Sequence, residues 1–282
     1  MIDLHIHSTC SDGTDSPDEI VDIAMKTGLH AIALTDHDTL AGLQNFETAA
    51  KENNLNGVPG IELSTYMYAS EVHILGLFIE YDSSDLIEIT EKMHQWRIER
   101  SEAIMGKLRR LGYDISMKTL LDNNVIDASI GRPHIAAYMV KKGYFDSIQS
   151  VFTELIGNGK SCYVPRKYIP YDECIRRIRL AGGIAVWAHP YNQKRTTRDI
   201  RRFCKKMASH GLNALECYYS AFSNQQTDTL LKIANENHLL VTGGSDYHGT
   251  HKPDIKMGTG TGYLNVPDEL FTNLKQYMKT AL

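Results

Sequence analysis

Short apolar, β-branched segments recur along the chain, and most are followed by a turn signal and an amphipathic helical pattern. The predicted strands cover residues 2–6, 31–35, 57–62, 72–79, 184–188, 213–218 and 239–243. Helical patterns lie at about 39–53, 171–181, 196–210, 224–237 and 267–279. Because β and α elements alternate at both ends of the chain, we expect a parallel sheet.

Seven strands interleaved with helices favour a closed or nearly closed α/β barrel over an open doubly wound sheet. No G-x-G-x-x-G dinucleotide signature follows any predicted strand, which also argues against the open sheet. The first connection carries clear helix signals, with Ser16 as N-cap, Pro17 at the first helical position, Glu19 at the third and Gly28 at the end. The element after the first strand is therefore predicted to be a helix.

Residues 83–160 interrupt this alternation. Their hydrophobic pattern predicts consecutive helices over about 84–111, 116–123, 132–142 and 146–156, without a convincing strand. Turn-forming residues bracket the segment at 82–84 and 157–159. We therefore predict the first part of the barrel at 1–82, a helical insertion (lid) domain at 83–160 standing over one end of the barrel, and the second part of the barrel at 161–282.

The composition is that of a globular protein, with 42% hydrophobic and 23% charged residues. The formal net charge of -4 argues against binding of the whole molecule to duplex DNA or to a membrane. No apolar run approaches the roughly 18 residues of a membrane span, and the N-terminus lacks a signal-peptide pattern. The five cysteines are scattered and never form C-x-x-C, which indicates a reducing compartment. We expect a cytoplasmic protein.

Charge is unevenly distributed along the chain. The segment from Lys160 to Lys206 contains thirteen Lys and Arg residues against three acids, Asp172, Glu173 and Asp199. Solvated faces of amphipathic helices account for such a segment. A surface that binds a phosphorylated or polynucleotide substrate accounts for it equally well.

Side chains that bind metals are concentrated where the predicted strands end. His5 and His7 alternate along the first strand and so point to the same face. The carboxyl ends of parallel strands converge on one mouth of a barrel, which would bring distant residues together. A single histidine is more often packed or solvated than metal-bound, but half of the twelve histidines share this placement. The nine candidate ligands are His5, His7, Asp12, His37, Glu62, His73, His189, Asp246 and His248.

Nine candidates exceed what one catalytic ion uses, so we expect two or three divalent ions. A mixture of histidines and carboxylates suits manganese, iron or zinc. Several motifs together resemble the PHP (polymerase and histidinol phosphatase) superfamily: Asp3-Leu4-His5-Ile6-His7-Ser8, Ser11-Asp12-Gly13, Thr35-Asp36-His37-Asp38, Gly60-Ile61-Glu62, Ala188-His189-Pro190 and Ser245-Asp246-Tyr247-His248.

The resemblance implies a distorted (β/α)7 barrel with a trinuclear metal cluster. Transferred by motif, the three ligand sets are His5, His7, Glu62 and Asp246 for the first ion, Asp12, His37 and His248 for the second, and Glu62, His73 and His189 for the third. Glu62 would then bridge two ions. Some family members carry histidine where Asp12 stands, so manganese, the cofactor we expect, or iron becomes more plausible than three zinc ions.

The helical interruption, with Gly131-Arg132-Pro133-His134-Ile135-Ala136 and Lys160-Ser161-Cys162-Tyr163-Val164-Pro165, resembles the nucleoside 3′,5′-bisphosphate phosphatase group. Members or close relatives also act as 5′-to-3′ exoribonucleases on short RNA. The resemblance implies that Arg132 and His134 bind a phosphate, assisted by Lys160 and Arg166. A guanidinium offers a bidentate fork to phosphate oxygens. An ordinary helix entry is the alternative for Arg132-Pro133.

The expected function is metal-dependent hydrolysis of the 3′-phosphate of a nucleoside 3′,5′-bisphosphate, without a phosphoenzyme. The expected products are a nucleoside 5′-monophosphate and phosphate. The alternatives are a 5′-3′ exoribonuclease on short 5′-phosphorylated RNA, another phosphomonoesterase such as histidinol phosphatase, and a PHP module without catalysis. The residues expected to act in catalysis are Asp12, His37, Glu62, His189, Asp246 and His248.

Overall fold

The computed structural model describes residues 1–68, 70–121 and 130–281, with the side chain of residue 281 left out. The strands in this part of the chain are β1 (Ile2–Ile6), β2 (Ala31–Leu34), β3 (Asn56–Met67), β4 (Ser70–Leu77), β5 (Ile169–Pro170), β6 (Ile184–Trp187), β7 (Ala214–Tyr219) and β8 (Leu240–Gly244). The α-helices are α1 (Pro17–Thr27), α2 (Leu43–Glu52), α3 (Ser84–Arg110), α4 (Met117–Leu121), α5 (Arg132–Lys141), α6 (Ile148–Val151), α7 (Tyr171–Leu180), α8 (Thr197–Ala208), α9 (Asn224–Glu236) and α10 (Asp268–Ala281).

Seven strands follow one another around the sheet in the order β1-β2-β3-β4-β6-β7-β8, and the short β5 pairs with β3. Two backbone hydrogen bonds join the first strand to the segment after the last one. His7 donates to the carbonyl of Tyr247 at 2.9 Å, and Asp246 donates to the carbonyl of His5 at 2.9 Å. The predicted nearly closed α/β barrel is therefore confirmed.

The prediction of a purely parallel sheet is wrong at β4, which runs antiparallel to both β3 and β6. The sequence pattern placed the third strand at 57–62, but β3 continues to Met67, which pairs with Ser70 at the start of β4. A parallel connection needs a dozen or more residues, whereas a tight hairpin links antiparallel neighbours. The short connection after Met67 therefore fixes the direction of β4.

The predicted start of α1 is confirmed. The Ser16 hydroxyl accepts a hydrogen bond from the backbone N–H of Glu19, and the Glu19 carboxylate accepts one from the N–H of Ser16. Gly28 ends the helix with a φ of 71°, a left-handed conformation that glycine adopts without a steric penalty. This short element returns the chain from the end of β1 to the start of β2.

An apolar cluster of strand residues and residues of α10 forms the core of the barrel. Its members include Ile2, Leu4, Ala31, Ala33, Val58, Leu75, Leu77, Ile184, Val186, Ala214, Leu270 and Leu274. Burying each large side chain of this kind contributes about 1.5–3 kcal/mol. No helix in the described ranges combines the length and hydropathy needed to cross a bilayer.

The chain divides into two compact units, Met1–Thr90 with Ile169–Leu282, and Glu91–Tyr168. The predicted boundaries were 82/83 and 160/161. The first turns of α3 belong to the barrel unit because Leu86 and Ile89 are buried and because Arg177 of α7 forms an ion pair with Asp85 at 3.0 Å. Cys162 packs in the core of the Glu91–Tyr168 unit, so the stretch just after 160 belongs to that unit.

The Glu91–Tyr168 unit is helical and has its own apolar core. The buried residues of this core include Ile104, Met105, Leu108, Ile115, Leu120, Ile130, Ile135, Met139, Val151 and Ile156. The predicted helix over 116–123 is observed as α4, and its residues 122–123 lie outside the described part of the chain. The predicted helix over 146–156 is observed as α6 followed by a π-helical turn at Phe152–Ile156.

Candidate metal centre

Glu62, near the middle of β3, occupies the centre of the candidate site. Its Oε1 lies 2.9 Å from His73 Nδ1 and 2.9 Å from His189 Nε2. Its Oε2 faces a second set of histidine nitrogens: His5 Nε2 at 3.4 Å, His7 Nε2 at 3.2 Å and His37 Nδ1 at 3.1 Å. A carboxylate whose two oxygens face separate histidine groups has the geometry to bridge two cations.

The antiparallel direction of β4 explains how His73 reaches this site. His73 lies in the first half of β4 and pairs with Ser64 of β3. In a parallel strand this position would face the opposite mouth of the barrel from the carboxyl ends. Because β4 is reversed, its beginning lies at the same edge as the ends of its parallel neighbours. The antiparallel direction of β4 therefore places His73 beside Glu62.

The two oxygens of Asp246 have different partners. Oδ1 lies 3.2 Å from His7 Nε2 and 3.6 Å from His5 Nε2. Oδ2 accepts hydrogen bonds from the Tyr219 hydroxyl at 2.8 Å and from Lys252 Nζ at 2.7 Å. Tyr219 and Lys252 therefore hold the carboxylate with its other oxygen towards the two histidines.

Asp12 lies beside His248 and His37. His248 Nε2 is 3.2 Å from Asp12 Oδ1, and His37 Nε2 is 4.0 Å from Asp12 Oδ2. The rings of His248 and His7 stack with their centroids 4.1 Å apart. The Asp12 side chain is 51% exposed, unlike the other two carboxylates of the cluster. This part of the site is therefore its most solvent-accessible side.

The structure brings all nine predicted ligands together. Potential ligand atoms lie within 4.8 Å of one another in three overlapping groups: His5, His7, Glu62 and Asp246; His7, Asp12, His37 and His248; and His37, Glu62 and His73. The first group has the same members as the set predicted for the first ion. The second adds His7 to the predicted set. The third contains His37, whereas the predicted set contains His189, which contacts Glu62.

Several buried atoms of this cluster have no hydrogen bond, as expected of metal ligands. Among the described residues they include His5 Nε2, both ring nitrogens of His7, His37 Nδ1 and Glu62 Oε2. Leaving a buried polar atom unsatisfied costs about 1–3 kcal/mol. Imidazole nitrogens and carboxylate oxygens are the ligands that zinc, manganese and iron accept. The residues therefore fit a cluster of divalent ions.

Burial and mutual attraction shift the pKa values of the cluster in opposite directions. Burial opposes protonation of His7, but the nearby carboxylates of Asp246 and Glu62 outweigh burial and raise the pKa of His7 to about 9. Burial likewise opposes protonation of His73, but the Glu62 carboxylate raises its pKa to about 10. Burial lowers the pKa of His37 to about 4. A histidine must lose its proton to bind a metal, so ion binding would displace protons from His7 and His73.

Glu216, in β7, is a fully buried carboxylate that the sequence analysis did not single out. Its Oε1 accepts a hydrogen bond from His5 Nδ1 at 2.8 Å, and its Oε2 accepts one from the backbone N–H of His189 at 2.6 Å. Because Nδ1 of His5 carries the proton, Nε2 is left as the ligand atom. An isolated acid in the apolar segment Ala214-Leu215-Glu216-Cys217 is the sequence signal that identifies it.

Two further aspartates fix the loops that carry ligands. Asp36 accepts hydrogen bonds from the backbone N–H of Ser8 at 2.8 Å and from the Ser8 hydroxyl at 2.6 Å. Asp3 accepts one from the backbone N–H of Ser245 at 2.8 Å. Both aspartates are buried. They hold the chain after β1 and after β8 in place, next to the ligands that follow.

The backbone is constrained where two of the ligands lie. His189 and Asp246 have positive φ values of 31° and 57°, in a region that costs an L-residue about 1–2 kcal/mol. Gly244 allows β8 to approach β1 closely, because a Cβ atom there would lie only 2.4 Å from His5 Cβ. The fold therefore accepts local strain at the edge that carries the cluster.

The four predicted phosphate-binding residues all lie in the Glu91–Tyr168 unit. Arg132, the first residue of α5, and Arg166 line one pocket of about 180 Å³. His134 Nδ1 accepts a hydrogen bond from the backbone N–H of Gly131 at 3.3 Å, which caps the start of α5. Lys160 is exposed, and neither it nor His134 is among the residues lining that pocket. Only two of the four predicted phosphate-binding residues therefore line this pocket.

Comparison with known proteins identifies the family. Residues 3–183 match the sequence model of the PHP domain, more than half of the chain. The chain belongs to the PHP family. The matched segment of this PHP protein contains His5, His7, Asp12, His37, Glu62 and His73. The other three predicted ligands lie beyond it.

Relatives of this PHP protein cover nearly its whole length. The 5′-3′ exoribonuclease of Haemophilus influenzae is 33% identical, over 87% of this chain and 89% of its own length. The 3′,5′-nucleoside bisphosphate phosphatase of Chromobacterium violaceum is 30% identical, over 88% of this chain and 87% of its own. A crystal structure named as a metal-dependent phosphoesterase from Bifidobacterium adolescentis has a TM-score of 0.81 and 29% identity, over 97% of this chain and 94% of the other.

These comparisons confirm the predicted class of enzyme. The PHP protein is a metal-dependent phosphoester hydrolase, and divalent metal ions are its cofactors. The clustered histidines and carboxylates are the residues of the described chain that fit such ions. The alternative of a PHP module without catalysis is not favoured by these relatives.

Proposed function

We propose that this PHP protein hydrolyses the 3′-phosphate of nucleoside 3′,5′-bisphosphates, releasing a nucleoside 5′-monophosphate and inorganic phosphate. The observation that carries the proposal is the position of Glu62, whose two oxygens face separate groups of histidines. A carboxylate that could hold two divalent ions would place them where they could act on a terminal phosphate. The similarity to the bisphosphate phosphatase of Chromobacterium violaceum supports this substrate class.

The proposed ligand sets are those that the family resemblance implies: His5, His7, Glu62 and Asp246; Asp12, His37 and His248; and Glu62, His73 and His189. Manganese is the proposed metal, and the cytoplasm the predicted compartment. When bound, divalent ions lower the pKa of a water ligand towards about 7 and neutralise charge on phosphoryl oxygens. The proposed catalytic residues are Asp12, His37, Glu62, His189, Asp246 and His248.

The phosphate that is not cleaved also needs a binding group. We assign this role to Arg132 and His134, with Lys160 and Arg166 assisting. A guanidinium binds two phosphate oxygens through parallel N–H bonds, which fixes the orientation of the phosphate as well as its position.

A second candidate function is 5′-3′ exoribonuclease activity on short 5′-phosphorylated RNA. The similarity to the exoribonuclease of Haemophilus influenzae favours it. Both reactions break the same bond, between O3′ of the first nucleotide and the phosphorus attached to it. In the bisphosphate that phosphorus carries no further group, whereas in RNA it carries the next nucleoside. The two functions therefore differ in the substrate that the site admits and not in the bond that is cleaved.

A substrate panel tests the proposal. Metal-loaded and chelator-treated protein would be supplied with adenosine 3′,5′-bisphosphate, a 5′-phosphorylated RNA trimer and histidinol phosphate, and the products would be separated by ion-exchange chromatography. We expect AMP and phosphate from the bisphosphate, in the metal-loaded protein only. Release of AMP from the trimer with little action on the bisphosphate would assign the exoribonuclease function. Preferred cleavage of histidinol phosphate would contradict both.

A further inference from the structure

A pocket of about 290 Å³ lies at the end of β7, in the same unit as the nine proposed metal ligands. We call it the β7 pocket. Its volume is close to the lower end of the range for small-molecule sites, about 300–1,000 Å³. The residues that line it come from the end of β7, from the start of α9 and from the segment that joins β8 to α10.

Aromatic and amide side chains make up most of the lining of the β7 pocket. Four of its ten lining residues are aromatic and two carry amides: Tyr218, Tyr219, Phe222, Tyr263, Asn224 and Asn265. An aromatic ring can stack on any nucleobase. A side-chain amide presents a donor and an acceptor side by side, as the edge of a nucleobase does. This combination of side chains suits a nucleobase.

The β7 pocket is uncharged, because none of its ten lining residues is a lysine, arginine, aspartate or glutamate. Burial raises the pKa of the Tyr218 hydroxyl, and the nearby carboxylates of Glu269 and Asp228 raise it further. The same surroundings disfavour any additional negative charge. The pocket is therefore unsuited to a phosphate group, and its chemistry differs from that of the phosphate-binding residues proposed above.

Tyr219 connects the β7 pocket to the candidate metal centre. Its hydroxyl donates to Asp246 Oδ2 at 2.8 Å, and its ring centroid lies 5.6 Å from that of His189. The centroid of Phe222, another lining residue, lies 4.9 Å from that of Tyr219. One side chain therefore separates the pocket from two proposed ligands. In a nucleoside 3′,5′-bisphosphate, one ribose separates the base from the 3′-phosphate.

Backbone hydrogen bonds hold Tyr263 at the β7 pocket. The N–H groups of its two neighbours, Gly262 and Leu264, both donate to the carbonyl of Thr259, at 2.8 and 3.1 Å. Leu264 packs in the core of the barrel, whereas Tyr263 is 94% exposed. A base that stacks on this ring meets a backbone that is already ordered, which lowers the entropic cost of binding.

We propose that the β7 pocket binds the nucleobase of the substrate, with Tyr263 stacking on the base and Asn265 contacting its edge. The class of ligand rests on the proposed function. Both candidate substrates, the bisphosphate and the RNA, carry a base on the ribose whose 3′-oxygen bond is cleaved, so the inference does not depend on which of them is preferred. Binding of the base does not require cleavage.

Binding to chelator-treated full-length protein tests the inference without turnover. The probes are deoxyadenosine 3′,5′-bisphosphate and its abasic analogue, 1,2-dideoxyribose 3,5-bisphosphate, and the Kd of each is measured by calorimetry. The two probes carry the same two phosphates and differ only in the base. We expect the probe with the base to bind at least about fivefold more tightly, the lower end of the range for stacking of a base on an aromatic side chain.

Variants locate this difference in the β7 pocket. Tyr263→Ala should weaken binding of the deoxyadenosine probe at least about fivefold, and Asn265→Ala should weaken it about fivefold. Neither should change the Kd of the abasic probe more than about twofold, because both act through the base. Tyr68→Ala is the matched control, since Tyr68 is a 57% exposed tyrosine that does not line the pocket. It should leave both Kd values nearly unchanged.

The outcomes are distinguishable from those of the substrate panel. Equal Kd values for the two probes, no binding of the deoxyadenosine probe, equal losses for both probes in Tyr263→Ala, or an equal loss in Tyr68→Ala would overturn the inference. Asn265→Ala keeps it testable if circular dichroism shows that Tyr263→Ala does not fold. Base-dependent binding that requires Tyr263, without cleavage by the metal-loaded enzyme, would contradict the proposed function and leave the base-binding pocket supported.

Discussion

Glu216 Oε1 accepts a hydrogen bond from His5 Nδ1 at 2.8 Å, and both side chains are fully buried. The other Glu216 oxygen accepts the backbone N–H of His189, so one carboxylate serves two proposed ligands. A glutamine offers only one acceptor oxygen and leaves one of these two donors unsatisfied, whereas alanine leaves both. We expect Glu216→Gln to lower metal affinity about 10-fold and Glu216→Ala up to about 100-fold.

Equilibrium dialysis against manganese, followed by metal analysis, measures the effect of Glu216 directly. Glu236→Gln is the matched control, because Glu236 lies on the surface in an ion pair with Arg201. Metal affinity in Glu216→Ala equal to that of this control would show that Glu216 does not orient His5.

Asp246→Asn should remove bound metal and lower the activity more than about 100-fold while preserving the fold. Oδ1 is the oxygen that faces His5 and His7, and an amide is a far weaker ligand than a carboxylate. Metal content and phosphate release are the two measurements, and circular dichroism establishes the fold. Activity near that of the wild type would contradict the proposed ligand set.

Arg132→Ala should weaken substrate binding by about 1.5–3 kcal/mol, the range for a hydrogen bond to a charged group. Metal content should stay unchanged, because Arg132 belongs to the Glu91–Tyr168 unit and the proposed ligands to the other unit. The measurements are KM for the bisphosphate and bound metal, with Arg110→Ala as the control. Simultaneous loss of metal would argue against a phosphate-binding role.

Glu173 should make the protein more stable above pH 4.5 than below it. Hydrogen bonds from Arg176 and Arg177 lower the pKa of Glu173 from 4.5 to about 2 in the folded state. A carboxyl group with a depressed folded-state pKa stabilises the protein fully above its unfolded-state pKa, and this contribution is lost as pH falls towards the folded-state value. Urea unfolding of wild type and Glu173→Gln at pH 6 and pH 3 should show a smaller difference at pH 3. A difference independent of pH would contradict this assignment.

The elements that position the cluster could largely be predicted from local signals. Ser16 and Gly28 define α1 by capping chemistry that acts within a few residues. The direction of β4 could not be predicted from the sequence, because the apolar pattern of a strand is the same in either direction. The antiparallel pairing of Met67 with Ser70 decides it, whereas the strand pattern ends β3 five positions earlier.

The residues of the proposed ligand sets could be singled out in the sequence because they combine a metal-binding residue type with a strand end. The roles of Glu216 and Lys252 could not be predicted in this way, since neither residue is a proposed ligand and each acts through a contact with one. Glu216 contacts His5 across 211 positions, and Lys252 donates to Asp246 from a short segment after β8. The contact of Glu216 becomes visible only when the barrel brings β7 and β1 together.

The most direct test of the central claim is a metal titration of chelator-treated protein during turnover. Manganese would be added stepwise while release of AMP and phosphate from adenosine 3′,5′-bisphosphate is followed. We predict that activity is absent at the start and saturates when two or three ions are bound per chain. Undiminished hydrolysis in the chelated protein, or hydrolysis that stays absent at full metal occupancy, would contradict the account.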